Sequence, residues 1–146
     1  MKILITGGCG YVGSELIKDF LEKGHSIICV DTQWFGNYLK KHKNLKVIKG
    51  DIRDFDKLNI KSIDVIIHLA NVANDPTVEL NPNLSWEINV LAAKIMAEHA
   101  IKNKVKKLIF FSSGSVYGLK KEKKVTEELK LNPISVYNKT KMIAER

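Results

Sequence analysis

The chain has 146 residues, 45% of them hydrophobic and 27% charged, and 24 Lys and Arg against 16 Asp and Glu give a formal net charge of +8. A chain of this length buries about two thirds of its unfolded surface, so one core is expected and disorder is excluded. No apolar run approaches the roughly 20 residues of a membrane span. Met1–Thr6 also lacks the apolar core and cleavage site of a signal peptide, so a cytoplasmic protein without membrane contact is expected.

The positive charge is almost all lysine, since Arg53 and Arg146 are the only arginines. Nucleic-acid readers favour arginine forks with interleaved aromatics, and the clusters Lys40–Lys43, Lys102–Lys107 and Lys120–Lys124 have neither. They read as solvated surface, and no nucleic-acid partner is expected. Cys9 and Cys29 form no paired-cysteine motif, so neither a disulfide nor a metal site is expected. Cys29, inside an apolar run, reads as core. Cys9 reads as a small residue in a glycine-rich turn.

In chain order, Lys2–Thr6 has the pattern of a strand and Gly7–Gly13 that of a turn. Ser14–Lys23 places Leu16, Ile17, Phe20 and Leu21 at helical spacing, with Gly24 as its stop. Ser26–Val30 is apolar throughout, as a strand covered on both faces should be. Leu45–Ile48 and Ile63–Leu69 are the third and fourth strands. Asn83–Lys102 is a long helix, Lys107–Phe111 a fifth strand, and Ser135 opens another helix. Strands separated by helices predict parallel β-α-β units in an α/β, doubly wound sheet of the Rossmann type.

The first turn carries Gly7, Gly10 and Gly13 as G-x-x-G-x-x-G between a strand and a helix. Glycine allows positive φ and close approach of a ligand, and a helix start offers unpaired N–H groups to a pyrophosphate. Asp31 ends the second strand, where a carboxylate accepts the ribose hydroxyls of an adenosine. A carboxylate there repels a 2′-phosphate, which favours NAD over NADP. Gly50-Asp51-Ile52-Arg53-Asp54 follows the third strand and would set Asp51 and Ile52 beside the adenine.

Tyr137 and Lys141 are four residues apart in the last helix and share a face. Ser112 and Ser113 follow the fifth strand, at the carboxyl edge of the sheet where ligands bind. A free phenol has a pKa near 10, and bringing it to about 7 takes roughly 4 kcal/mol of preferential stabilisation of the phenolate. A nearby ammonium and an oxidised nicotinamide supply that, and the phenolate then removes a hydroxyl proton as hydride leaves the adjacent carbon.

Together these segments, with His68-Leu69-Ala70-Asn71 and Ser112-Ser113-Gly114-Ser115-Val116-Tyr117-Gly118, resemble the extended short-chain dehydrogenase/reductase family in its NAD-dependent nucleotide-sugar epimerase/dehydratase branch. The resemblance implies NAD contacts at Gly7, Gly10, Tyr11, Val12, Gly13, Asp31, Asp51, Ile52, Leu69, Ala70, Asn71 and Ser112. It implies a catalytic trio of Ser113, Tyr137 and Lys141, the last two also touching the cofactor, and a supporting role for Asn89. Family dehydratases carry Asp-Glu after the catalytic Ser/Thr. Here Gly114 and Ser115 stand instead, so elimination is disfavoured.

C4 epimerisation of a UDP-sugar is the leading expectation. A nucleotide-sugar dehydrogenase, reductase or dehydratase, or a non-catalytic NAD-binding module, are the alternatives. The resemblance also implies pairing into a homodimer through the long helix and the Tyr-Lys helix. Because the last helix runs to Arg146 without a cap, the sequence reads as one partial NAD-binding domain over residues 1–146. It is expected to be truncated before the C-terminal strands and the substrate-binding lobe.

Overall fold

A computed structural model describes residues 1–58 and 60–146. Five parallel strands form one sheet in the order β3-β2-β1-β4-β5. They are β1 (Lys2–Thr6), β2 (Ser26–Asp31), β3 (Leu45–Lys49), β4 (Val65–His68) and β5 (Lys107–Phe110). The order turns back at β1: the chain first builds outward through β2 and β3, then crosses to β4. The switch point therefore lies between β1 and β4, where such sheets open a crevice at their carboxyl edge.

Apolar residues on β1, β2 and β4 alternate between two cores. Leu4, Val30 and Ile66 face one side, packed with Ile52, Phe55, Ile88 and Met96. Ile3, Ile5, Ile27, Cys29 and Ile67 face the other, against Ile17 of α1 (Tyr11–Glu22). Cys29 is fully buried, as its apolar run predicts, and both cysteines are free thiols. Their sulfurs lie 3.9 Å apart, a contact that their 20-residue separation does not reveal. Among the described residues, no helix is long and apolar enough to cross a membrane.

Three features differ from the sequence pattern. First, α1 begins at Tyr11, three residues before the predicted start. Gly10 caps it through its backbone, its carbonyl accepting the Ser14 N–H. Glycines thus carry the chain straight into the helix. Second, a short helix, α2 (Asp75–Leu80), precedes the long one. Asn74 caps it by accepting the Thr77 N–H, and Pro76 sits where a missing N–H costs nothing.

Third, the long helix is not uniform. It runs as α3 (Pro82–Trp86), a wide π turn over Glu87–Leu91, and α4 (Ala92–Lys102). Apolar spacing is too coarse to register one extra residue in a turn. The final helix, α5 (Val136–Ala144), is capped by the Ser135 hydroxyl, which accepts the Asn138 N–H.

His68 closes β4 and is 2% exposed. Its Nδ1 shares a 2.7 Å hydrogen bond with the Thr6 hydroxyl on β1, and its ring stacks on Phe110 of β5. Burial, with Lys141 nearby, pulls its pKa down to about 4. The unfolded chain therefore takes up this proton near pH 6.5 and the folded chain only near 4, so stability falls with acidification across that window. The loss is roughly 3 kcal/mol. Urea unfolding over this range should report it, and His68→Gln should flatten the dependence by that amount. An unchanged slope in the variant would refute the assignment.

Candidate active site

A cleft of about 370 Å³ opens at the switch point, lined by the first glycine turn, the end of β2, Gly50–Ile52 and the segment Leu69–Asn71. The glycine turn is built by approach of backbone to backbone. Gly7 has φ +70, and a Cβ there would lie 2.6 Å from the Ala70 nitrogen. A Cβ on Gly13 would meet the Gly8 Cα at 2.6 Å and the Gly7 carbonyl oxygen at 2.7 Å. The turn is anchored from below by the Gly7 N–H, which donates to the Val30 carbonyl at 2.8 Å.

At the α1 N-terminus no side chain among the described residues caps the helix, and no acidic residue sits in the first turn. Its N–H groups and positive dipole end are thus left for an anion. Beside them, the Asp31 carboxylate accepts the Cys9 N–H at 3.0 Å with one oxygen and the Gln33 N–H at 2.7 Å with the other. Each oxygen keeps a further acceptor site. Across the cleft Asp51 is gripped by the Arg53 guanidinium, which also reaches Glu87 at 2.6 Å. Those hydrogen bonds hold the Asp51 carboxyl below the usual carboxylate range. The cradle leaves room that only glycine backbone permits. Asn71 lines it with a buried Oδ1 that has no partner among the described residues. These features fit a dinucleotide.

Every expected cofactor contact from Gly7 to Asn71 lines this cleft. Ser112 does not: its exposed hydroxyl donates to Glu145 at the end of α5. Ser113, Tyr137 and Lys141 lie outside the cleft lining too, on the β5 side of the switch point. Ser113 caps the 3-10 turn Gly114–Tyr117, and its hydroxyl is 2.7 Å from that of Ser115. It neighbours the half-buried Tyr137 phenol. Burial raises that phenol's pKa, and the Ser113 hydroxyl pulls it back.

Lys141 is 3% exposed, with Nζ 4.5 Å above the Phe110 ring. Burial depresses its pKa to about 8, against the pull of Glu145. Its ammonium is therefore mostly retained at neutral pH. Asn89, within the π turn, ties the two regions together. Its Oδ1 accepts the Val72 N–H at 2.7 Å, and its Nδ2 donates to the Val72 carbonyl and to Thr140 Oγ1, both at 3.1 Å. Thr140 in turn donates to the Tyr137 carbonyl at 2.7 Å.

Trp34, Phe35 and Ile88 also line the cleft, and motif reading misses them. The available signal is two large aromatics that begin three residues after the strand-ending acid and directly precede Gly36.

The glycine cradle, the acid that ends β2 and the 3-2-1-4-5 strand order define a dinucleotide-binding α/β domain of the Rossmann type. The chain belongs to the NAD dependent epimerase/dehydratase family, which it matches over residues 3–146. It is 31% identical over 150 residues to a UDP-glucose 4-epimerase of Lactobacillus helveticus, covering 100% of this chain and 46% of that protein. The UDP-N-acetylglucosamine 4-epimerase from Methanobrevibacter ruminantium M1, solved with UDP-N-acetylmuramic acid, superposes with a TM-score of 0.90 at 30% identity. That match covers 99% of this chain and 48% of the solved one. MoeE5 in complex with UDP-glucuronic acid and NAD gives a TM-score of 0.89 at 27% identity, covering 99% and 47%. The chain thus spans about half the length of the relatives it matches.

Two outcomes follow from the geometry. Gly13→Ala should lower the unfolding free energy by about 1–3 kcal/mol, because backbone rather than a movable side chain blocks the added carbon. Gly114→Ala, with open space around it, should stay within about 0.5 kcal/mol in the same urea titration. Equal effects would contradict the cradle. Separately, the unfolded chain binds the Lys141 proton up to about pH 10.5 and the folded chain only up to about 8. That lysine therefore makes stability rise with pH between those values, by roughly 3 kcal/mol. The stability difference between wild type and Lys141→Met should follow this rise. A pH-independent difference would overturn it.

Proposed function

We propose that this chain binds NAD in the switch-point cleft and forms the cofactor half of a nucleotide-sugar 4-epimerase acting on a UDP-sugar. The observation that carries the reading is the joint occurrence of the Gly7–Gly13 cradle and the Asp31 carboxylate in one cleft. Tyr11, Val12 and Gly13 would offer backbone N–H groups to the pyrophosphate, and Gly7 and Gly10, whose own N–H groups are bonded within the turn, would leave it room. Asp31 would accept the adenosine ribose hydroxyls, and its charge disfavours a 2′-phosphate. Asp51 and Ile52 would flank the adenine, and Leu69, Ala70 and Asn71 would border the nicotinamide side.

When bound, NAD would supply reversible hydride chemistry at the sugar carbon. The chain's own residues handle the proton. The Tyr137 oxygen is the base that takes the sugar hydroxyl proton. It needs help, because burial alone moves the phenol away from neutrality. The retained Lys141 ammonium favours the phenolate, and the Ser113 hydroxyl donates toward the reacting oxygen. Gly114 and Ser115 offer no carboxylic acid to move the protons of a water elimination, which favours epimerisation over dehydration. A nucleotide-sugar dehydrogenase would share this oxidation and a reductase would run it in reverse, with Tyr137 giving its proton to the carbonyl oxygen.

Calorimetric titration with NAD tests the cofactor half, and no heat at millimolar NAD would sink it. Turnover is assayed with UDP-glucose and UDP-N-acetylglucosamine on the protein as its cell makes it. There Tyr137→Phe should cut turnover by about 100-fold or more, as loss of a general base does. Undiminished turnover would remove Tyr137 from that role.

A further inference from the structure

We propose that Trp34, presented with Phe35 at the apex of the turn after β2, is the stacking wall for the adenine base of the dinucleotide. The inference rests on the NAD reading and adds a contact surface to it. Trp34 is one of only two tryptophans in the chain. It is 55% exposed, and Phe35 and Tyr38 are 85% and 87% exposed. Three large aromatics within five residues, all left in water, form an apolar surface of the kind that marks a binding edge.

Their placement is built. The Gln33 N–H donates to Asp31 Oδ1, and the Gly36 N–H donates to the Gln33 carbonyl at 3.0 Å. This closes a four-residue turn with Trp34 and Phe35 at its two central positions. Gln33 at φ +60 and Gly36 at φ +91 make the turn tight. The Tyr38 ring packs against Gly36, where an added Cβ would meet it at 3.1 Å. The carboxylate that would hold the ribose thus also anchors the turn that carries the aromatics.

The strand order says which end of the dinucleotide they meet. Trp34 and Phe35 line the cleft from the β2 side, whereas Ser113, Tyr137 and Lys141 lie toward β5. With a pyrophosphate over the glycine cradle between them, the reacting ring points to β5 and the purine to the aromatic turn. A purine face stacked on indole removes apolar surface of both from water and needs no hydrogen-bond readout.

Trp34 emission reports the contact directly in a Trp86→Phe background. AMP and NAD should quench it, and nicotinamide mononucleotide should not. By calorimetry Trp34→Ala should weaken AMP and NAD about tenfold, while Trp34→Phe should stay within about threefold of wild type. Trp34 is exposed, so these variants are expected to fold, and circular dichroism checks it. Normal NAD binding with unchanged Trp34 emission, or an Ala variant that binds AMP like wild type, overturns the inference and leaves the cofactor reading standing. A wild-type chain that binds no NAD at all overturns both.

Discussion

The structure depends on how closely the first turn approaches the neighbouring strand end. At Gly7 the backbone runs so near Leu69 and Ala70 that a Cβ would lie within 3 Å of three of their backbone atoms. Gly13 presses equally hard on Gly7 and Gly8. Only with no side chain at these points can β1, the turn and α1 fold back on themselves while β4 stays paired to β1. The resulting crevice, the free N–H groups of α1 and the position of Asp31 all follow from that contact.

A second layer of order is polar and buried. Thr6 and His68 join β1 to β4 beneath the crevice, and the Ala70 N–H also reaches the Thr6 hydroxyl. Asn89 clamps the Val72 backbone and passes the constraint through Thr140 to the Tyr137 carbonyl. The floor of the cleft and the helix bearing Tyr137 and Lys141 are thus held by one run of hydrogen bonds. Buried polar groups are costly unless satisfied, so such a run favours one relative placement of its elements over others. The π turn at Glu87–Leu91 is where Asn89 gains its inward aim. Lys141 carries the opposite cost: it is an ammonium in a nearly closed site, resting on the Phe110 ring.

Much of this was legible in the residues. The continuous apolar run of Ser26–Val30 reads as a two-faced strand, and both its faces are covered. The glycine spacing and Asp31 locate the cleft, because positive φ, close approach and a strand-end carboxylate are local demands that local sequence must meet. The α2 helix was not legible: six residues around a proline give no period to read. The π turn was hidden for a similar reason, since one extra residue barely disturbs helical spacing. The aromatic turn at Trp34 and Phe35 reads as loop, because exposure is decided by what packs nearby.

By itself, the sequence determined the alternation of strand and helix, the parallel sheet, the phosphate-type loop and the family. Each of these depends on period, on backbone freedom or on residues at fixed short spacing. Only the tertiary structure decided the strand order and the contact of Gly7 with Ala70. It alone decided that Asn89 spans Val72 and Thr140, and that Trp34 and Phe35 share a cleft with Asp31. These pairings join residues 17 to 63 positions apart or set exposure, and such relations arise from packing, which no local pattern encodes.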